Sequence, residues 1–339
     1  MLENYMDLKY RDVPDPVLES DEVLVEVKAS GICGSDIHGM DGSTGRRIPP
    51  VIMGHEASGI IKETGKDVKG WKTGERVTFD STIYPLDDWF TRKGMYNLSD
   101  GRMVLGVSAK EFRRDGAYAQ YVAVPQHILY RIPENVSFTR AAMVEPAAVA
   151  LHSINLTPVA VNDTAVVVGA GMIGLFVVQL LKLSGCTRVV AVDIDDDRLA
   201  LAQQLGASLM LNPGEKDVAL EVMEITEGRG GDIAFDAVGN DPAINTALGS
   251  LRKGGTLTLI GNLKPAVEIP LQAVVTRQIR LQGSCAINGE YQAILDLMEG
   301  GLINTDIILS AEAPLAEGAD WFRRLYNKEK GLLKVVLLP

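Results

Sequence analysis

A chain of 339 residues is too long for one ordinary hydrophobic core, so two domains are expected. Hydrophobic residues at 46% and charged residues at 23% exclude a disordered chain and fit a globular one. A formal net charge of −11 and a pI near 5.0 disfavour nucleic acid and anionic membranes as partners.

The first residues, "MLENYMDLKYRDVPDP", have no basic stretch followed by an apolar one, so no secretory signal is expected. No apolar run approaches the roughly 18 residues of a membrane span. The only cysteines are Cys33, Cys186 and Cys285, too unevenly spaced for a disulfide framework, which points to a reducing, cytoplasmic setting. Up to about residue 150, short apolar runs alternate with turn signals: "EVLVEVKAS", "VIMGHEASGIIKETG", "GERVTFD" and "AYAQYVAVP". These predict a mostly β domain. From about residue 163, "TAVVVGAGMIGLFVVQLLKLSG" reads as a buried strand, a glycine turn and a helix, and "TRVVAVDID" as a second strand. "SLMLNP", "GDIAFDAVG", "GTLTLIGN" and "IRLQGS" supply four more strands with helical stretches between most of them. This alternation predicts an α/β, doubly wound parallel sheet of the Rossmann type. After residue 285, two helical stretches and a strand-like "LLKVVLLP" are expected to return to the first domain.

"GAGMIG" puts Gly169, Gly171 and Gly174 in G-x-G-x-x-G spacing, directly after a strand and at the start of a helix. That context carries the dinucleotide fingerprint, which glycines alone would not. Gly169 serves the tight turn, Gly171 the approach of the diphosphate, and Gly174 the packing of helix on strand. The diphosphate is expected at the helix N-terminus, by Met172 and Ile173. Asp193 ends the second strand, about twenty residues on, where an acid accepts hydrogen bonds from the adenosine ribose. Arg198 follows it as a further cofactor-binding candidate. A cofactor with a 2′-phosphate would meet Asp193, Asp195, Asp196 and Asp197, so NAD is expected over NADP. Val238, Gly239, Ile260 and Gly261 follow strands at their C-terminal ends, the place for the nicotinamide and its ribose.

Cys33, in "GICGSDIHGM", reads alone as a buried small hydrophobe. His55 and Glu56 in "VIMGHEASGII" and Glu145 in "AAMVEPAAVALH" change the picture, because zinc takes thiolate, imidazole and carboxylate. On residues alone, a turn pair and a helix cap remain open alternatives.

In order, "GICGSDIHG", "PPVIMGHEASGII", "GERVTF", "VEPAAVALH" and "GAGMIGL" resemble the zinc-dependent medium-chain dehydrogenase family along essentially the whole chain. The resemblance implies a GroES-like β-rich catalytic domain over 1–150, a NAD-binding Rossmann domain over 151–286, and a catalytic return segment over 287–339. It implies that Cys33, His55, Glu56 and Glu145 hold one catalytic zinc, with the "EP" of Glu145 similar to the sorbitol (polyol) dehydrogenase branch. Glu56 corresponds to a carboxylate that moves on and off the metal. Ser35 and His38 resemble the family's proton relay, a hydroxyl handing the substrate proton toward a histidine and water. The implied reaction is oxidation of a secondary alcohol of a polyol to the ketone, with hydride passing to NAD in a homo-oligomer, tetramer or dimer. A threonine dehydrogenase-like substrate, a polyol phosphate, and a NAD-binding protein without turnover stand as alternatives. Arg46, Arg47, Arg113 and Arg114 are expected to solvate loops rather than meet a phosphate.

Many family members carry a second, structural zinc on four cysteines. Those positions here correspond to Pro85, Asp88, Thr91 and Ser99, so no structural zinc is expected. Trp89, Phe90, Met95, Tyr96 and Leu98 are the side chains available to pack that lobe against the body or a neighbouring subunit.

Overall fold

Valines alternate along Glu22–Gly31, "EVLVEVKASG", so that Val23, Val25 and Val27 fall on one face and are buried. In the computed structural model, which describes residues 1–109 and 112–339, this strand is the hub of the first of two units. That unit comprises Met1–Glu145 and Ile287–Pro339. Its sheet runs Leu309–Pro314, Lys334–Leu338, Glu22–Gly31, Glu56–Thr64, Arg76–Phe79, Leu129–Arg131, with Tyr121–Pro125 also paired to Glu22–Gly31. Val23, Val25, Val27, Ile61, Val77, Phe79, Val122 and Val124 share one core cluster. The C-terminal strand Lys334–Leu338 pairs antiparallel with Glu22–Gly31, through Val336 opposite Gly31. Beside it, parallel, lies Leu309–Pro314, a strand the sequence did not suggest. Its "LSAEAP" is small, polar and ends in proline, as an edge strand can be. The break between units falls at Glu145, five residues before 150, because the helix Val144–Asn155 begins in one unit and continues into the other.

The second unit, Pro146–Ala286, holds a six-stranded sheet, parallel throughout. Its order is Leu209–Leu211, Arg188–Val192, Thr164–Val168, Gly231–Asp236, Leu251–Leu259, Arg280–Gly283. Sequence order reverses between Thr164–Val168 and Gly231–Asp236, which is where open α/β sheets leave a crevice at their C-terminal ends. Thr164–Val168 is buried at every residue, which explains its unbroken apolar run.

The lobe over residues 84–100 is held chiefly by Tyr96. Its ring stacks on Tyr84 with centroids 4.2 Å apart. Its hydroxyl donates to Asp80 Oδ2 at 2.5 Å and accepts from the Gly289 N–H at 2.7 Å. Asn288 adds a bond to the Gly94 carbonyl at 2.7 Å. Asp88 caps the short helix Trp89–Arg92 by accepting from the Phe90 and Thr91 amides. Trp89 and Leu98, two of the packing candidates, do not pack against the body of this chain: they are 61% and 43% exposed.

Burial pushes the Asp80 carboxyl up to about 6, despite the Tyr96 and Thr82 hydrogen bonds that favour ionisation. Its folded pKa thus lies above the ordinary 3.8, so the protonated form favours the fold and ionisation above about pH 6 opposes it. The stability of Asp80→Asn relative to the parent should therefore rise from about pH 4 to about pH 6 and level off above that in urea unfolding. A difference that is flat with pH contradicts this. Tyr96→Phe removes the hydroxyl between Asp80 and Gly289 and should cost about 1–3 kcal/mol. An unchanged unfolding midpoint would show that the lobe is held by other contacts.

Candidate active site

Antiparallel pairing places Gly31, at the end of one strand, opposite Glu56, at the start of the next. Cys33 follows the first strand and His55 precedes the second, so the sheet itself brings thiol and imidazole together. A sulfur of Cys33, a nitrogen of His55 and a carboxylate oxygen of Glu56 all lie within 4.8 Å of one another. His55 Nδ1 and Glu56 Oε1 are buried without a hydrogen-bond partner. Nδ1 lies 3.5 Å from Asp36 Oδ2, which leaves Nε2 as the free ring nitrogen. Buried polar atoms left unpaired are costly. A thiol, an imidazole and a carboxylate converging with spare lone pairs are the donor set that zinc takes. Burial, and then the neighbouring carboxylates Glu56, Asp36 and Glu145, push the Cys33 thiol well up, an environment that favours a cation.

Glu145 stands outside that trio. It lies in the first turn of Val144–Asn155, and its Oε1 accepts from the Ser81 hydroxyl at 3.2 Å. Burial pushes its carboxyl up to about 7, with His55 opposing and Glu56 adding to the shift. It is therefore close enough to feel the trio's charges.

Several residues of the site were not anticipated. Asp36 is fully buried and accepts from Arg47 Nε at 2.9 Å, Arg47 Nη2 at 2.7 Å and the Tyr118 hydroxyl at 2.8 Å. Burial opposes its ionisation, but His55 and Arg47 hold it below the ordinary carboxylate range. A carboxylate behind a ligating histidine fixes the ring's orientation. Arg47 is thus not a loop-solvating residue. Of the other arginines, Arg46 is exposed, Arg113 faces Asp115 and Arg114 donates to Glu22, so the four do not converge.

Lys334 is fully buried, and its Nζ bonds Glu56 Oε2 and, at 3.0 Å, the Ile32 carbonyl. Gly31 has to be small here, because a Cβ would sit 2.5 Å from Glu56 Oε2 and 2.7 Å from Lys334 Nζ. The available signal was a single lysine inside the apolar run "LLKVVLLP". Ser35 Oγ lies 3.2 Å from Cys33 Sγ and also accepts from Arg47 Nη2 at 3.4 Å. Ser35 and His38 are both exposed on the helix Gly34–Gly39.

In the other unit, Gly169 follows Thr164–Val168 with φ of +98°, and a Cβ there would meet Val238 at 2.6 Å. A Cβ on Gly174 would come 1.8 Å from the Gly169 carbonyl oxygen, so only glycine lets helix and turn approach. Gly171 N-caps the helix Met172–Leu183, and no protein atom lies within 4 Å of where its Cβ would be. Sterics within the chain do not demand a glycine there. The N–H groups of the first turn, Met172 and Ile173 among them, face that side without intrahelical partners.

Asp193 is 9% exposed; Oδ2 accepts from the Ala170 amide at 2.7 Å and Oδ1 from the Asp195 amide at 3.0 Å. It therefore braces the glycine turn. Arg198 Nη1 lies 3.9 Å from Asp193 and its Nε 3.7 Å from Asp195. Asp195 also caps the helix Asp196–Gln204. Val238 and Gly239 follow Gly231–Asp236, and Ile260 and Gly261 follow Leu251–Leu259. Gly239 and Gly261 touch so closely that a Cβ on either would lie 2.4 Å or less from the other's backbone.

Two family models match the chain: an alcohol dehydrogenase GroES-like domain over residues 19–134 and a zinc-binding dehydrogenase domain over residues 173–300. Sorbitol dehydrogenase of Bacillus subtilis (strain 168) is 30% identical over 344 residues, covering 100% of this chain and 96% of that protein. D-arabitol-phosphate dehydrogenase of Enterococcus avium is 32% identical, covering 95% of this chain and 91% of the other. A zinc-binding dehydrogenase structure from Sinorhizobium meliloti 1021, bound to NADP, matches with a TM-score of 0.91 and 30% identity, over 100% of this chain and 98% of that one.

Proposed function

Because the chain belongs to the zinc-dependent medium-chain dehydrogenase family, in its polyol dehydrogenase branch, we propose that it oxidises a secondary alcohol of a polyol to the ketone, reversibly, with NAD. The observation that carries this reading is the convergence of Cys33, His55 and Glu56, with the buried Glu56 Oε1 left without a hydrogen bond. These residues would hold the catalytic zinc, with Glu145 contributing directly or through water. When bound, zinc makes the substrate hydroxyl easier to deprotonate, and NAD accepts the hydride. Asp36 fixes the His55 ring, held in turn by Arg47 and Tyr118. Ser35, beside the Cys33 sulfur, takes the substrate proton, and exposed His38 passes it to solvent.

Gly169, Gly171, Gly174, Met172 and Ile173 carry the diphosphate, Asp193 with Arg198 flanks the ribose, and Val238, Gly239, Ile260 and Gly261 border the nicotinamide. The Sinorhizobium protein holds NADP, so the preference for NAD here rests on Asp193 and its acidic neighbours. Asp193→Gly with Ile194→Arg should change the NAD-to-NADP ratio of kcat/KM by about a hundredfold toward NADP. Equal parental kcat/KM values for NAD and NADP would contradict the assignment.

No helix among the described residues is long and apolar enough to cross a membrane. The unbridged cysteines support a reducing, cytoplasmic setting. Exposed Leu271 and Val275 on the helix Leu271–Thr276, and Leu281 within the edge strand Arg280–Gly283, support a homo-oligomer. The experiment for substrate is a panel of polyols, polyol phosphates and threonine scored by NADH production. A polyol phosphate is the second reading because the Enterococcus relative is a D-arabitol-phosphate dehydrogenase. It lacks support from Arg46, Arg47, Arg113 and Arg114, which do not converge. Turnover of threonine alone would overturn the polyol reading, and zinc-loaded protein without any NADH production would favour a non-catalytic role.

A further inference from the structure

The Rossmann sheet has a second end. At the N-terminal ends of Gly231–Asp236 and Leu251–Leu259, a cavity of about 490 Å³ is lined by Met223, Gly228, Arg229, Gly249, Leu251, Arg252, Lys253 and Arg277. Parallel strands put the glycine turn and the other dinucleotide residues at the opposite end, about 20 Å away. The cavity is therefore separate from the cofactor's place.

Its lining carries four cationic side chains, in a chain whose formal charge is −11. The acid bonded to them is Asp232, which accepts from Arg229 Nη1 at 2.5 Å and Arg252 Nε at 2.7 Å. Three guanidiniums are held in place by the protein itself. Arg252 also donates to the Lys253 carbonyl at 2.9 Å. Arg277 donates to the Leu248 carbonyl at 3.1 Å and to that of Leu251. A guanidinium has five N–H donors, so each keeps three or more for a ligand. Lys253 is exposed and its ammonium has no acceptor among the described residues. Gly228 and Gly249 add no side chain to fill the space.

We propose that this cavity binds a di- or polyphosphate group. Anchored guanidiniums match phosphate oxygens in bidentate fashion with little ordering left to do. Four cations around one acid call for several negative charges on one small ligand, which a single carboxylate does not bring. Free pyrophosphate and the phosphate chain of a nucleotide share this chemistry.

The test titrates inorganic pyrophosphate, ATP and citrate by calorimetry into protein saturated with NADH, so that the dinucleotide site is already filled. One pyrophosphate per chain is expected, with affinity about tenfold weaker in Lys253→Gln and undetectable in Arg229→Gln/Lys253→Gln. The melting temperature of each variant without ligand reports any loss of folding. ATP binding tighter than pyrophosphate, with the same Lys253 dependence, identifies a nucleotide as the source; equal affinity identifies the phosphates alone, and both support the site. Absence of binding, binding untouched by Lys253→Gln, or citrate binding as tightly as pyrophosphate overturns the proposal.

Discussion

Cys33→Ser protein should lose zinc and dehydrogenase turnover together, by about three orders of magnitude or more, while binding NADH as the parent does. A serine hydroxyl stays protonated near neutral pH, so it cannot replace thiolate in a set that includes one imidazole and carboxylates. The trio and the Asp36–Arg47–Tyr118 support behind it lie in the unit Met1–Glu145 with Ile287–Pro339. The glycine turn and Asp193 lie in the other unit, Pro146–Ala286, which is why NADH affinity should survive. His55→Ala should behave the same way, and fluorescence titration with NADH separates both variants from misfolded protein. Cys33→Ser protein that kept its metal and near-native turnover would remove Cys33 from the site.

Lys334→Met should destabilise the metal-stripped protein by about 3–5 kcal/mol, since it leaves the Glu56 carboxylate buried with no cation. Both partners of that pair are fully buried, and Glu56 Oε1 is already without a hydrogen bond. With zinc restored, the carboxylate again has a positive neighbour, so the loss should shrink. Glu56→Gln in the Lys334→Met background should recover most of the stability, because the amide brings no charge to bury. Urea unfolding of the chelated and zinc-loaded forms measures all of this. Equal stability of parent and Lys334→Met in both forms would show that the pair contributes nothing to the fold.

Much of this architecture could be read from local patterns. The unbroken apolar run of Thr164–Val168, followed by "GAGMIG", announced a buried parallel strand and its turn, because burial on both faces removes the alternation of a surface strand. Cys33, His55 and Glu56 were legible as a chemical set. Their convergence follows from the pairing of Gly31 with Glu56, a register that the sequence does not display. Lys334 and Arg47 were missed for a related reason. A lysine or arginine is ordinarily solvated, and only the long-range contacts 278 residues apart with Glu56, and 11 apart with Asp36, reverse that default. At the lobe over residues 84–100 the aromatic content was legible, but the bond from the Tyr96 hydroxyl to Asp80, 16 residues away, was not.

Zinc X-ray absorption on the purified protein, combined with a zinc count per chain, tests the central claim most directly. The chain's three cysteines are Cys33, Cys186 and Cys285, and none lies in the lobe over residues 84–100. One zinc per chain is predicted, with a single sulfur at about 2.3 Å and the remaining ligands nitrogen or oxygen at about 2.0–2.2 Å. In Cys33→Ser protein the sulfur shell should vanish with the metal. A zinc without sulfur, or a second equivalent bound in the lobe, would contradict the account.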